Sequence, residues 1–248
     1  MDSLKPHIRL TPLYIFLVVQ TIVWSVISII LFLVEPSGRL AHRYGARLWA
    51  KILLWGSRVS VELRGQEQLA QTSGPLVLVT NHSSMYDILA LLAGLNIDFK
   101  FVVKKELRKV PLWGYAMEKA GYLFIDRADS GQTLEIIRSA ARKIREGSSV
   151  LFFAEGTRSA DGSLGQFKRG AFTLASKSGC DVAPIAIKGA YEVLPKGSLL
   201  IRPGRITLTI LPPVVDPALK KNSKLLMAAV RERLLEGLGQ TGDREVSP

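Results

Sequence analysis

The chain predicts one α/β domain, a mainly parallel sheet flanked by helices, preceded by an N-terminal membrane-anchoring helix pair. Three observations carry this expectation. From Arg58 onward, short apolar and β-branched runs alternate with helical patterns. Four of those runs end in polar clusters, as parallel strands do at a ligand crevice. Ahead of them, 13–34 forms a run of 22 residues without a charge.

As a helix that run is about 33 Å long at 1.5 Å per residue, which matches a bilayer core. It is too long for a secretory h-region and no small-x-small cleavage pattern comes after it, so a removed signal peptide is excluded. A buried core helix is the rival reading. Glu35-Pro36-Ser37-Gly38 then breaks the helix. Beyond it Arg39, Arg43, Arg47 and Lys51 recur every four residues, while Leu40, Tyr44, Leu48, Trp49, Ile52 and Trp55 supply the apolar and aromatic side. That is the pattern of an interfacial helix on anionic lipid, or of an ordinary helix with a solvated charged face. Residues 1–57 are therefore expected to anchor and 58–248 to form the α/β domain. Cationic charge is heavier after the apolar run than before it, which places the domain on the cytoplasmic face of a cell membrane.

Strands are expected at 59–63, 76–80, 99–103, 122–125, 150–153, 182–187 and 206–210. Helices are expected at 85–94, 106–120, 132–146, 170–178 and 217–238, with only 240–248 unstructured. Asn81-His82-Ser83-Ser84-Met85-Tyr86-Asp87 comes after the second strand and opens a helix. Five positions apart on one continuous helix, His82 and Asp87 would face about 140° apart. They meet only if His82 sits on the turn and Asp87 in the first helical turn. An aspartate on Nδ1 would fix the tautomer and leave Nε2 free to take a proton. Ser84-x-x-Asp87 also resembles a capping box, which would make Asp87 a helix-start residue alone.

The other strand ends carry Lys104-Lys105-Glu106, Asp126-Arg127 and Glu155-Gly156-Thr157-Arg158. Arg127 and Arg158 offer planar forks suited to phosphate, Lys104 a point charge, and Gly156-Thr157 close backbone approach. Lys168 adds a cation at a helix start. The net charge of +12 points to an anionic partner. The single cysteine, Cys180, excludes an intrachain disulfide and reads as a small core residue.

Asn81-His82-x-x-x-x-Asp87, Lys104-x-Glu-Leu with Pro111-x-x-Gly114, Ile125-Asp126-Arg127, Glu155-Gly156-Thr157-Arg158-Ser159, Phe167-Lys168-Arg169-Gly170 and Val182-Ala183-Pro184-Ile185 occur in the order found in glycerolipid acyltransferases. Over residues 75–190 the chain closely resembles the bacterial lysophosphatidate (1-acyl-sn-glycerol-3-phosphate) acyltransferases of that family. Ala154 departs from the pattern, which usually has proline there, and is expected to loosen the loop. The resemblance implies acyl transfer from an acyl thioester, carried by acyl carrier protein or coenzyme A, to the free sn-2 hydroxyl of lysophosphatidic acid. The product would be phosphatidic acid, for phospholipid biosynthesis. By the same resemblance His82 is the general base and Asp87 orients it. Lys104, Arg127, Arg158 and Lys168 hold the phosphate, while Glu155, with the Gly156-Thr157 turn, positions the glycerol. The expected partners are the phospholipid bilayer, the lysolipid and the carrier, with no resident cofactor, metal or nucleic acid.

Two rival functions remain at this level. A thioesterase would use Ser83 or Ser84 as nucleophile, but no G-x-S-x-G elbow is present. A non-catalytic membrane adaptor or nucleic-acid binder would exploit the basic charge, but no nucleic-acid motif accompanies it.

Overall fold

Seven strands form one sheet in the computed structural model, which describes residues 5–72, 74–126 and 130–240. They are β1 Val59–Arg64, β2 Val77–Thr80, β3 Phe99–Lys104, β4 Leu123–Ile125, β5 Ser149–Phe153, β6 Val182–Lys188 and β7 Gly204–Ile210, in the spatial order β1-β7-β6-β2-β5-β3-β4. All neighbours are parallel except β6 and β7, which run antiparallel with Lys188 opposite Thr207. β2 lies between β5 and β6, with Thr80 in register with both Phe153 and Ile185. The segment after Thr80 thus leaves the middle of the sheet at its C-terminal edge, where α/β folds place ligands.

Alternation along the strands fills two cores. Leu78, Phe99, Phe101, Leu151 and Ile185 face one side. There α1 Lys5–Val34, α2 Arg47–Gly56, α3 Tyr86–Gly94 and α4 Trp113–Lys119 provide the cover. Val77, Val79, Val150 and Val182 face the other. They meet α5 Ser130–Arg145, α6 Gly170–Ser178 and α9 Ser223–Leu238. The short helices α7 Ala190–Val193 and α8 Pro217–Lys221 complete the set. Cys180, expected in the core, is half-buried at its margin.

Thr11–Val34 is long and apolar enough to cross a membrane. One stripe of α1, including Leu13, Phe16, Leu17, Leu31 and Phe32, packs on the body, whereas Ile15, Val18, Val19, Ile22, Val26 and Ile30 are exposed. The buried-core alternative for this run therefore fails for its outer face.

Three local expectations are corrected. The four-residue cation stripe does not stay on one face, because Ala41–Ala46 forms a π-helical turn whose extra residue per turn rotates the residues beyond it. Arg39 instead donates to the Glu146 carbonyl and Arg47 to Asn96 Oδ1, each at 2.8 Å, while Arg43 and Lys51 remain exposed. The helix expected at 106–120 divides into a 3-10 turn, Lys105–Lys109, and α4, since Pro111 cannot continue the backbone ladder. The helix expected at 217–238 breaks at Asn222, whose side chain accepts from Lys224 N and Leu225 N to start α9. Residues 241–248 lie outside the described residues.

Candidate active site

His82 sits on the turn between β2 and α3, and Asp87 in the first turn of α3. His82 Nδ1 is 2.8 Å from Asp87 Oδ2, the geometry the five-residue spacing required. The same oxygen accepts the backbone N–H groups of Ser83 at 2.7 Å and Ser84 at 2.8 Å. Asp87 therefore also performs the capping task, so the two readings of it are compatible. In the neutral ring, a carboxylate at Nδ1 places the proton there and leaves the Nε2 lone pair as acceptor.

The loop is tied on every side. Asn81 exchanges two hydrogen bonds with the backbone of Ile187, at 2.9 and 2.8 Å. The His82 carbonyl accepts from Ser159 N at 2.7 Å. Its N–H donates to Glu155 Oε1, while Glu155 Oε2 accepts from Gly165 N, each at 3.0 Å. Glu155 is buried, and burial pushes its carboxyl above the ordinary range; the amide bonds from His82 and Gly165 pull it back down. This carboxylate brackets two loops. The imidazole lies flat on Phe153, with centroids 3.8 Å apart and planes at 19°, and Phe153 in turn stacks on Phe101.

Ala154 does not loosen the turn as expected. Its N–H donates to Thr80 O at 2.8 Å, a ladder bond that proline at this position could not make, and its carbonyl accepts Lys168 N at 2.7 Å.

The cations are held less tightly. Gly156 and Lys168 line a cavity of about 220 Å³ together with Ile125, Phe152, Phe153 and Gly170. Gly156 has φ +68°, and a Cβ there would press on the Lys168 stem at 3.2 Å. Lys104 is exposed at the end of β3, and its ammonium is 3.2 Å from Glu106. Thr157 is exposed; Arg158 is half-buried, and its carbonyl accepts from Lys196 at 3.1 Å. Arg127 lies outside the described residues.

A family model described as Acyltransferase matches residues 60–188, more than half of the chain. This chain belongs to the acyltransferase family. The match contains the whole His82–Asp87 loop and the Glu155 turn.

Among relatives of this acyltransferase, the 1-acyl-sn-glycerol-3-phosphate acyltransferase of Pseudomonas aeruginosa is 30% identical over 210 residues, 83% of this chain and 80% of that one. The chloroplastic 1-acyl-sn-glycerol-3-phosphate acyltransferase of Arabidopsis thaliana is 37% identical over 183 residues, 73% of this chain. This chain spans only about half the length of that chloroplast relative, 51%. The crystal structure of the 1-acyl-sn-glycerophosphate (LPA) acyltransferase PlsC from Thermotoga maritima shares the fold, with a TM-score of 0.79 at 24% identity, covering 98% of this chain and 100% of that one.

Neither Phe153 nor the bracketing role of Glu155 is evident from the sequence of this acyltransferase. The doubled Phe152-Phe153 at a strand end is a visible signal. Which ring meets His82 depends on the pairing of Thr80 with Phe153, which spacing within one segment does not reveal.

Proposed function

We propose that this acyltransferase transfers an acyl chain from an acyl thioester to the free sn-2 hydroxyl of 1-acyl-sn-glycerol 3-phosphate, giving phosphatidic acid for phospholipid biosynthesis. The observation that carries the reading is the His82–Asp87 pair, with Nε2 left as an acceptor; Phe153, on which the ring lies, also lines the mostly apolar cavity that Lys168 borders. Nε2 takes the proton of the acceptor hydroxyl as its oxygen attacks the thioester carbonyl. The new C–O ester bond forms and the C–S bond breaks. The leaving thiolate recovers the proton from the imidazolium, which Asp87 stabilises. Lys168, with Arg127, Arg158 and Lys104 from the family motif, holds the phosphate. Glu155 and the Gly156-Thr157 turn hold the loops against which the glycerol rests.

A small apolar pocket of about 50 Å³ is lined by Trp24, Trp49, Phe101, Trp113, Met117 and Tyr122; an acyl chain would have to part these side chains to enter it. Residues 1–57 moor the enzyme to the cell membrane with the α/β domain on the cytoplasmic face, because a one-chain lysolipid resists extraction into water. The donor is carried by acyl carrier protein or coenzyme A.

For the thioesterase alternative, the hydrogen bonds of Ser84 disfavour Ser84 as the nucleophile. Its Oγ donates to the Leu194 carbonyl and accepts from Tyr86 N, so it is committed to holding the loop. The deciding experiment supplies acyl thioester with and without lysophosphatidate to the wild type and to His82→Ala. Thiol release should depend on the acceptor and fall by about 10²- to 10⁴-fold in the variant, with fold and membrane attachment retained. Acceptor-independent release of fatty acid would refute the transferase reading.

A further inference from the structure

The catalytic edge of the sheet carries two apolar tips that the reaction does not use. Val110 and Leu112 come just after the 3-10 turn that leaves the C-terminal end of β3. Leu199 and Leu200 lie in the loop from α7 to β7. β3 lies parallel to β5, which is parallel to β2, while β7 runs antiparallel to β6, so both tips flank the edge on which His82 stands. The second loop is also fastened to the site, through Ser84 Oγ to the Leu194 carbonyl and Lys196 to the Arg158 carbonyl.

All four side chains are turned to solvent, Leu112 at 44% and Leu199 at 69% exposure. Leu112 holds φ +59°, a conformation that L residues with large side chains avoid. The turn enforces it. Trp113 N donates to Pro111 O, Gly114 N donates to Val110 O, and a Cβ on Gly114 would stand 2.3 Å from the Arg108 carbonyl. An exposed leucine on a strained, tightly fastened turn is unfavourable in water on two counts, and burial in lipid would relieve one of them.

Both tips belong to segments that pack on the N-terminal helices. Tyr14 of α1 donates its hydroxyl to the Leu199 carbonyl at 2.5 Å. Trp113 packs on Trp49 with centroids 5.9 Å apart, and the Lys119 ammonium lies over both Phe32 of α1 and Tyr115 of α4, at 4.7 and 4.9 Å. Exposed cations stand beside each tip: Lys109 at the first, Lys196 and Arg202 at the second. Arg108 is matched by Glu118. Apolar tips ringed by cations suit an anionic lipid surface. A second copy of this chain is a poorer occupant, because the partner patch would present the same positive sign.

We infer that the Val110–Leu112 and Leu199–Leu200 tips insert into the interfacial layer of an anionic bilayer, so that the catalytic edge is seated on the membrane and not only tethered by α1. This inference rests on the anchoring part of the proposed function and is independent of the reaction.

The test uses the full chain with Cys180→Ser and one cysteine at a time: Leu112→Cys, Leu199→Cys, Val23→Cys on the outer face of α1, and Lys177→Cys on α6. Each is labelled with an environment-sensitive fluorophore and reconstituted with phosphatidylcholine vesicles containing phosphatidylglycerol and nitroxide-bearing lipid. Quenching at 112 and 199 is expected to be several-fold stronger than at 177 and comparable with that at 23. Val110→Cys and Leu200→Cys report the same tips should either first variant fail to fold. Quenching at the tips no greater than at 177, with 23 still quenched, overturns the inference and leaves the anchor standing. An unquenched 23 as well removes the anchor too. Energy transfer between tip labels on different copies, without lipid quenching, assigns the tips to self-association and likewise overturns it.

Discussion

The loop around His82 and the cations Lys104, Arg158 and Lys168 stand on the same sheet edge yet are built in opposite ways. Asn81, His82 and Asp87 are buried and fastened through backbone groups of Ser83, Ser84, Ser159 and Ile187, with a ring platform beneath. Lys104 and Lys168 are exposed and Arg158 is half-buried. The two tasks need different precision. A proton transfer fails when its atoms are displaced by an ångström, whereas attraction of a phosphate falls off slowly with distance and tolerates mobile side chains. The fixed loop should therefore govern kcat, and the cations should govern the KM for the acceptor.

The sharpest break of that contrast is Asp87→Asn. The amide retains one acceptor oxygen for Nδ1, Ser83 N and Ser84 N but no longer stabilises an imidazolium. A fall in kcat of about 10²- to 10⁴-fold is expected with the acceptor KM changed by less than about threefold. Steady-state kinetics on lipid–detergent mixed micelles reads this, and an unchanged kcat would remove Asp87 from the mechanism.

A smaller effect separates Glu155 from Lys168. Glu155→Gln keeps an acceptor for His82 N and replaces the one for Gly165 N with an amide donor, so the loops shift apart. The expected loss is about tenfold in kcat, in line with a weakened charge-assisted hydrogen bond, with little change in KM. Lys168→Ala should do the reverse, raising the acceptor KM about tenfold. A Glu155→Gln enzyme whose defect lies wholly in KM would mean that the carboxylate touches glycerol and does not merely bracket the loop.

Much of this architecture is legible in the sequence, for identifiable reasons. The seven strands arise from apolar runs that turn punctuation bounds, and the His82–Asp87 pairing arises from helical geometry acting on a five-residue spacing. The rest depends on relations between segments. Nothing in the composition of 206–210 says that β7 runs against β6. The π-helical turn at Ala41–Ala46 has no distinguishing residue pattern, yet it shifts Arg47 out of line with Arg39 and Arg43, and Arg47 bonds Asn96. Pro111 and Asn222 are visible breakers, and locally they prevail over a long helical periodicity on either side. Glu155 carries a carboxylate where the resemblance expects contact with glycerol; only the neighbouring loops reveal that both its oxygens meet backbone amides.

The mildest test concerns the opposite edge of the sheet, where His42 of the π-helical turn is buried against Phe99 and 3.1 Å from the Tyr122 hydroxyl, with Lys100 and Asp98 nearby. Burial, then the charge of Lys100, lowers His42 from 6.5 to about 3, while Asp98 pulls it upward. The folded ring thus stays neutral at pH values where the unfolded chain takes up a proton. That contribution to stability is fully present above about 6.5 and is lost as pH falls toward 3, with a slope of at most about 1.4 kcal/mol per pH unit. Burial raises the Asp98 carboxyl but the Lys100 ammonium and Ser148 hydroxyl outweigh it, so its lowered value adds loss in the same direction only at the acidic end. His42→Phe keeps the ring packing and removes the proton site, at a neutral-pH cost of about 1 kcal/mol for the bond to Tyr122. Thermal unfolding in one detergent between pH 7 and 4 should therefore fall less steeply for the variant, and parallel curves would show that this buried ring is not what makes the junction between the N-terminal helices and the sheet sensitive to acid.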